Sequence, residues 1–227
     1  MMEDWEKAYQ ALPGEPYLQV LEKIHAALKP KTYLEIGVQY GFSFCLAGPQ
    51  TFAVGVDPNP CIQTDLHAWS RIYRQTSEAF FISYPGDPFD LIFIDGLHQY
   101  EAIVDDFCNA EQYCTPQSII LIHDTIPLSA ESSKKDFDPG FWTGDVWKIV
   151  PTLLQARPDL TIFTIACPPS GLTVIKGFGK SEGISSEVVD QFREKEYAWI
   201  ESRKKTALGV VENREDIWMP LLLNKKS

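Results

Sequence analysis

The chain has 227 residues, with 20 Lys and Arg against 31 Asp and Glu, for a formal net charge of -11. Hydrophobic residues make up 44% and charged residues 22% of the chain, which is the balance of a globular protein with one large domain and some appended structure. The longest apolar runs, such as Ile119–Ile122, fall far short of the ~20 residues that cross a bilayer, and the acidic balance disfavours a phosphate backbone as partner.

The acidic start, Met1-Met2-Glu3-Asp4-Trp5, lacks the basic and apolar stretches of a secretory signal, so the expected location is the cytosol. Five cysteines, odd in number and without a C-x-x-C pair, are expected to be reduced and free of zinc.

The first element is an amphipathic helix over Glu15–Leu28, in which Leu18, Leu21, Ile24 and Leu28 recur at helical spacing until Lys29-Pro30. Tyr33–Ile36 and Phe52–Val56 are short apolar stretches stopped by Gly37 and Asp57-Pro58, and read as buried strands. Between them Gly41–Ala47 has room for about two helical turns. Either Arg71–Gln75 or Ala79–Ser83 supplies the third strand; the first is preferred, with Ser77–Phe81 a short helix.

Strands follow at Asp90–Ile94 and Ser118–Ile122, separated by a helix around Tyr100–Tyr113, and a parallel sheet is the economical arrangement. The aperiodic stretch Asp124–Thr143 is long enough to be a functional lid. Phe137, Phe141 and Trp142 border it and offer ring faces to a sugar or aromatic compound. A helix around Asp145–Ala156 is expected to kink or restart at Pro151. Within it, Asp145 and Lys148 read as a solvated ion pair, with a contact to substrate or a second subunit as the alternative. Leu160–Cys167 and Gly171–Lys176, joined by Pro168-Pro169-Ser170, form a hairpin, so one strand of the sheet runs backwards. A charged helix is expected over Ser185–Lys205, and Trp218–Leu223 is apolar again. These tails pack on the domain or pair protomers into a homo-oligomer.

Two motifs carry chemistry. The turn Glu35-Ile-Gly37-Val-Gln-Tyr-Gly41 ends the first strand, where a ligand approaches the backbone of a doubly wound sheet. Asp57, twenty residues beyond Gly37 at the end of the next strand, is placed to accept hydrogen bonds from two ribose hydroxyls. A dinucleotide fingerprint would need G-x-G-x-x-G, but Gln39 and Phe42 stand where its second and third glycines belong, so an adenosine-type cofactor without a pyrophosphate fits better.

Glu35-Ile-Gly37 with Gly41 and Ser43, followed by Gly55-Val-Asp57-Pro58, resembles motifs I and II of class I S-adenosylmethionine-dependent methyltransferases. Asp95-Gly96-Leu97-His98, His123-Asp124-Thr125 and Trp142-Thr-Gly144-Asp145 resemble a subgroup that methylates hydroxyls of small molecules and sugars. The resemblance spans about residues 32–177. It implies a mostly parallel α/β sheet of seven strands with the last antiparallel, a methyltransferase domain over residues 1–180 and a helical extension over 181–227.

By that resemblance Glu35, Gly37, Gly41, Ser43 and Asp95 belong to the cofactor site, Asp57 holds its ribose and Ser77 lies near its adenine. His98, at the carboxyl end of the fourth strand, is the candidate base for the acceptor hydroxyl, with Asp95 beside it. In the metal-dependent branch a carboxylate after strand four and a pair after strand five hold a divalent ion. Asp95, His123 and Asp124 stand there, and the imidazole favours Mn²⁺ or Fe²⁺ over Mg²⁺. The expected partner is a small hydroxylated acceptor, with neither nucleic acid nor membrane involved. The rival readings are a nicotinamide-dependent dehydrogenase and a non-catalytic binding or assembly protein.

Overall fold

The computed structural model describes residues 2–179 and 183–224. Its helices are α1 (Met2–Ala11), α2 (Tyr17–Leu28), α3 (Ser77–Ser83), α4 (Tyr100–Glu111), α5 (Ile149–Ala156), α6 (Ser186–Arg193), α7 (Tyr197–Glu201), α8 (Lys204–Ala207) and α9 (Glu215–Leu223). The strands are β1 (Thr32–Ile36), β2 (Phe52–Val56), β3 (Trp69–Tyr73), β4 (Phe89–Ile94), β5 (Cys114–His123), β6 (Thr161–Ile165), β7 (Leu172–Lys176) and β8 (Val210–Val211).

They form one sheet in the order β3-β2-β1-β4-β5-β7-β6-β8. β7 runs antiparallel to both β5 and β6, and every other pairing is parallel. The expected seven strands and reversed last strand are therefore present, and the two-residue β8 adds an eighth at the edge.

Because side chains alternate along a strand, each central strand feeds two apolar layers. Leu34, Ile36, Ile92, Ile94, Ile120 and Ile122 face α4 and α5, where Phe107 and Leu153 are fully buried. Tyr33, Leu91, Phe93, Leu121 and Val174 face the opposite layer, filled by Leu21 and Ile24 of α2 and by Trp218 of α9. Burial of an indole of ~200 Å² contributes on the order of 5 kcal/mol, so Trp218 ties the C-terminal helix firmly to the sheet.

Several local expectations need correction. The third strand begins at Trp69 rather than Arg71; it is an edge strand with Trp69 82% exposed, so it carries no two-sided apolar pattern. Gly41–Ala47 contains only a 3-10 turn at Phe44–Leu46. The tail over Ser185–Lys205 is broken into α6, α7 and α8, because its apolar phase slips by five residues between Phe192 and Tyr197. α5 does restart, after a 3-10 turn at Val146–Lys148, with Pro151 in its first turn where a missing N–H costs little.

Asp145 and Lys148 are not solvated. Their side chains are 5% and 10% exposed and 2.9 Å apart, and Asp145 accepts the Tyr100 N–H at the start of α4. The five cysteines are free. No helix among the described residues is long and apolar enough to cross a membrane. The expected boundary at residues 180 and 181 lies outside the described residues.

Candidate active site

The order of strands reverses between β1 and β4, and the carboxyl ends there open a cavity of about 1230 Å³. Gly37, with φ at 90°, turns the chain out of β1 against β4: a Cβ at this position would lie 2.0 Å from the Asp95 carbonyl oxygen. Any side chain would push the two strand ends apart. Asp57 follows β2, and its carboxylate is fixed by two backbone donors, the N–H of Gln39 at 2.8 Å and the N–H of Asn59 at 2.7 Å. Each oxygen keeps acceptor capacity toward the cavity.

Gly37, Asp57, Ser77 and Asp95 line the cavity, whereas Glu35, Gly41 and Ser43 stand outside its lining. Glu35 is fully buried and accepts hydrogen bonds from the hydroxyls of Tyr33 and Ser43, each at 2.6 Å. It fastens the Gly37 turn to the sheet from behind. Burial pushes its carboxyl up to about 8, against the two hydrogen bonds and with added repulsion from Asp95 and Asp57.

The folded chain thus holds a proton on Glu35 that the unfolded chain releases near 4.5. Stability from this group is complete below about pH 4.5 and is lost as pH rises toward about 8. Thermal melts from pH 5 to 9 are expected to show wild type losing stability relative to Glu35→Gln across that window. Parallel profiles would contradict it.

In the same cavity Asp95, His98, His123 and Asp124 converge. His98 has Nε2 3.4 Å from Asp95 Oδ1 and Nδ1 3.2 Å from Asp124 Oδ2. His123 Nδ1 lies 3.3 Å from Asp95 Oδ1 and 3.6 Å from Asp124 Oδ2. Asp124 adopts the left-handed region, φ 59°, directly after β5, where its Oδ1 also accepts the Ser170 hydroxyl. Such a conformation is tolerated by Asp and marks a site that the surroundings hold in place.

Burial favours neutral imidazoles and opposes ionised carboxyls, yet the mutual attractions prevail. Asp124 and Asp95 push His98 up to about 9 and raise His123, while the His123 charge and the hydrogen bonds from both imidazoles hold Asp95 well below the usual carboxylate range.

Asp95, His98 and Asp124 each offer one ligand atom, all within 4.8 Å of one another. His98 Nδ1 is buried and makes no hydrogen bond, although Asp124 is near. Two carboxylates with imidazole nitrogens between them are a donor set that fits a divalent ion. The expected set named His123; the structure puts His98 in the compact triad and His123 against the same two oxygens.

The lid stretch is anchored by reciprocal hydrogen bonds between Ser129 and Ser132 and by Thr143 and Gly144 donating to the Ser132 carbonyl. Its far limb brings Trp142 onto His98, ring centroids 5.1 Å apart and nearly parallel. Phe141 lines the cavity and meets Trp5 of α1 edge-on at 5.3 Å; Phe137 is 72% exposed and packs against Trp142 outside it. Tyr17 of α2, which the motif reading missed, stacks on His123 at 3.9 Å, and burial raises its phenol further. Trp5, Tyr17 and the buried Asp106 of α4 all line the cavity without any local sequence signal.

Strand order β3-β2-β1-β4-β5-β7-β6 with β7 reversed and the cavity over β1 and β4 make a doubly wound, Rossmann-like α/β fold. Residues 34–125 match a family described as a methyltransferase domain. The uncharacterized protein y4gI of Sinorhizobium fredii is 30% identical in a 160-residue alignment that covers 59% of this chain; the chain spans only 16% of that protein.

Among solved structures, the O-methyltransferase TomG from Streptomyces achromogenes, in complex with SAM, superposes with a TM-score of 0.54 at 18% identity. The match covers 78% of this chain and 90% of TomG. Cofactor-bound Rv0187 from MTB gives 0.56 at 17% identity, covering 79% and 88%. These likenesses establish the fold.

Proposed function

We propose that the protein is an S-adenosylmethionine-dependent methyltransferase acting on a hydroxyl of a small, uncharged molecule. One observation carries the reading: a single cavity holds the Gly37 turn and the pinned Asp57 carboxylate together with the Asp95–His98–Asp124 cluster under Trp142. Its 1230 Å³ exceeds the ~300–1,000 Å³ of a single small-ligand pocket, leaving room for cofactor and acceptor at once.

Charge supports the choice of ligands. Asp57, Glu78, Asp95, Asp105, Asp106 and Asp124 line the cavity, and among the described residues no Lys or Arg does. Such a field favours a cationic sulfonium and opposes a phosphorylated or carboxylated acceptor. It equally disfavours the pyrophosphate of a nicotinamide cofactor. Trp5, Phe141 and Trp142 supply ring faces for a sugar or an aromatic acceptor.

In the transfer, the acceptor oxygen attacks the methyl carbon, the carbon–sulfur bond breaks, and its electron pair returns to sulfur as a neutral thioether. The protein's part is alignment, worth ~7–11 kcal/mol when the geometry is right, and removal of the hydroxyl proton. His98 is the residue that handles that proton, stacked under Trp142. Held between two carboxylates it already carries a proton at neutral pH, so it acts as base only after that proton has left.

A divalent ion bound by Asp95, Asp124 and the His123 nitrogen would acidify the acceptor hydroxyl and leave His98 to take its proton. An ion among the carboxylates displaces the protons that the imidazoles hold there, so Mn²⁺ binding is expected to release protons, read by calorimetry in two buffers of different ionisation enthalpy. Chelation is expected to abolish methylation, with Mn²⁺ or Fe²⁺ restoring it at least as well as Mg²⁺. Full activity in verifiably metal-free protein would remove the ion from the scheme.

The function itself is tested by methyl-labelled S-adenosylmethionine and a panel of neutral catechols and glycosides. Labelled ether and S-adenosylhomocysteine should form one to one. Binding of NADH without S-adenosylhomocysteine would overturn the reading.

A further inference from the structure

Ser170, in the turn between β6 and β7, is fully buried beneath the His98 cluster, and its backbone is tied down. Its carbonyl accepts the Ile126 N–H at 2.6 Å, and the next residue, Gly171, donates to the Cys167 carbonyl at 2.8 Å. The Ser170 hydroxyl donates to Asp124 Oδ1 and lies 3.4 Å from His123 Nε2. A serine hydroxyl has one hydrogen. With that hydrogen on Asp124 it can only accept from the imidazole, so Nε2 must carry a hydrogen of its own.

The other ring nitrogen then belongs to the cluster: Nδ1 lies 3.3 Å from Asp95 Oδ1 and 3.6 Å from Asp124 Oδ2. A neutral ring held this way turns a lone pair toward two carboxylate oxygens, which is repulsive until a cation stands among them. Tyr17 restrains the ring by stacking on it at 3.9 Å, and the same turn holds Tyr17, whose N–H donates to the Pro168 carbonyl at 2.9 Å. The hydroxyl also orients Asp124, because Oδ1 is engaged by Ser170 while Oδ2 faces His98 and His123.

We propose that Ser170 is a positioning residue that assigns the two nitrogens of His123, taking the Nε2 hydrogen and so presenting Nδ1, beside Asp95 and Asp124, as a ligand for a divalent ion. This rests on the metal reading above. A hydrogen bond from the far nitrogen of a metal-binding imidazole fixes its tautomer and orientation, and its loss typically costs 10- to 100-fold in metal affinity.

The probe is Mn²⁺ on the full chain, with affinity read by calorimetry and the ligand by electron spin-echo modulation, which detects a nitrogen bound directly to the ion. Wild type is expected to bind Mn²⁺ and to show an imidazole nitrogen. Ser170→Ala should bind it about 10- to 100-fold more weakly and lose that nitrogen signal, while its affinity for S-adenosylhomocysteine stays within about twofold of wild type. Ser170→Cys, close to serine in size but a weak donor, should fall between, and it carries the test if the alanine variant does not fold. An unchanged nitrogen signal in the variant, or an equal loss of S-adenosylhomocysteine affinity, overturns the role of Ser170 alone. Failure of wild type to bind Mn²⁺ overturns the metal reading, and this proposal with it.

Discussion

Turnover by His98→Ala is expected to fall ~10²–10⁴-fold at saturating cofactor, with affinity for S-adenosylhomocysteine little changed. The imidazole lies 3.4 Å from Asp95 and 3.2 Å from Asp124, whereas Asp57 is pinned by the N–H groups of Gln39 and Asn59. Its loss removes the proton carrier and leaves two carboxylates facing each other without one of their cations. Added imidazole should recover part of the rate, which a purely structural role would not allow. A variant with the wild-type rate would mean that His98 only balances charge.

Asp57→Ala is expected to weaken S-adenosylhomocysteine binding roughly 10- to 150-fold, from ~1.5–3 kcal/mol for hydrogen bonds to a charged group. The loss has two origins. The ribose loses its acceptor, and the Gln39 and Asn59 N–H groups lose the carboxylate that joins the first turn to the second. Asp57→Asn, which keeps one acceptor oxygen, should fall between. Wild-type affinity in a folded Asp57→Ala protein would remove Asp57 from the cofactor site.

The parts of this site that could be read from the sequence are those whose function is local. Gly37 and Asp57 stand at ends of apolar strands, where a turn glycine and a carboxylate after the strand are visible in the chain itself. The hairpin between β6 and β7 was likewise visible, since a short Pro-Pro-Ser connection joins only antiparallel strands. Trp5, Tyr17 and Asp106 reach the cavity from helices whose placement depends on long-range packing, and nothing beside them in the chain announces it.

Asp145 and Lys148 show the same limit from the other side. Three residues apart on a helix, they look like any surface pair, and only the burial of Tyr100 and Trp147 around them removes the solvent. β3 was displaced by two residues for a related reason: an edge strand has one neighbour, so exposed Trp69 and Ser70 satisfy it as well as apolar residues would.

Hydrogen exchange of the full chain with and without saturating S-adenosylhomocysteine tests the central claim most directly. The account predicts slowed exchange at the amides of residues 37–39, 57, 59 and 95–98, where the Gly37 turn, the Asp57 loop and the end of β4 meet in one cavity. Unchanged exchange at all three segments under saturating ligand would contradict it.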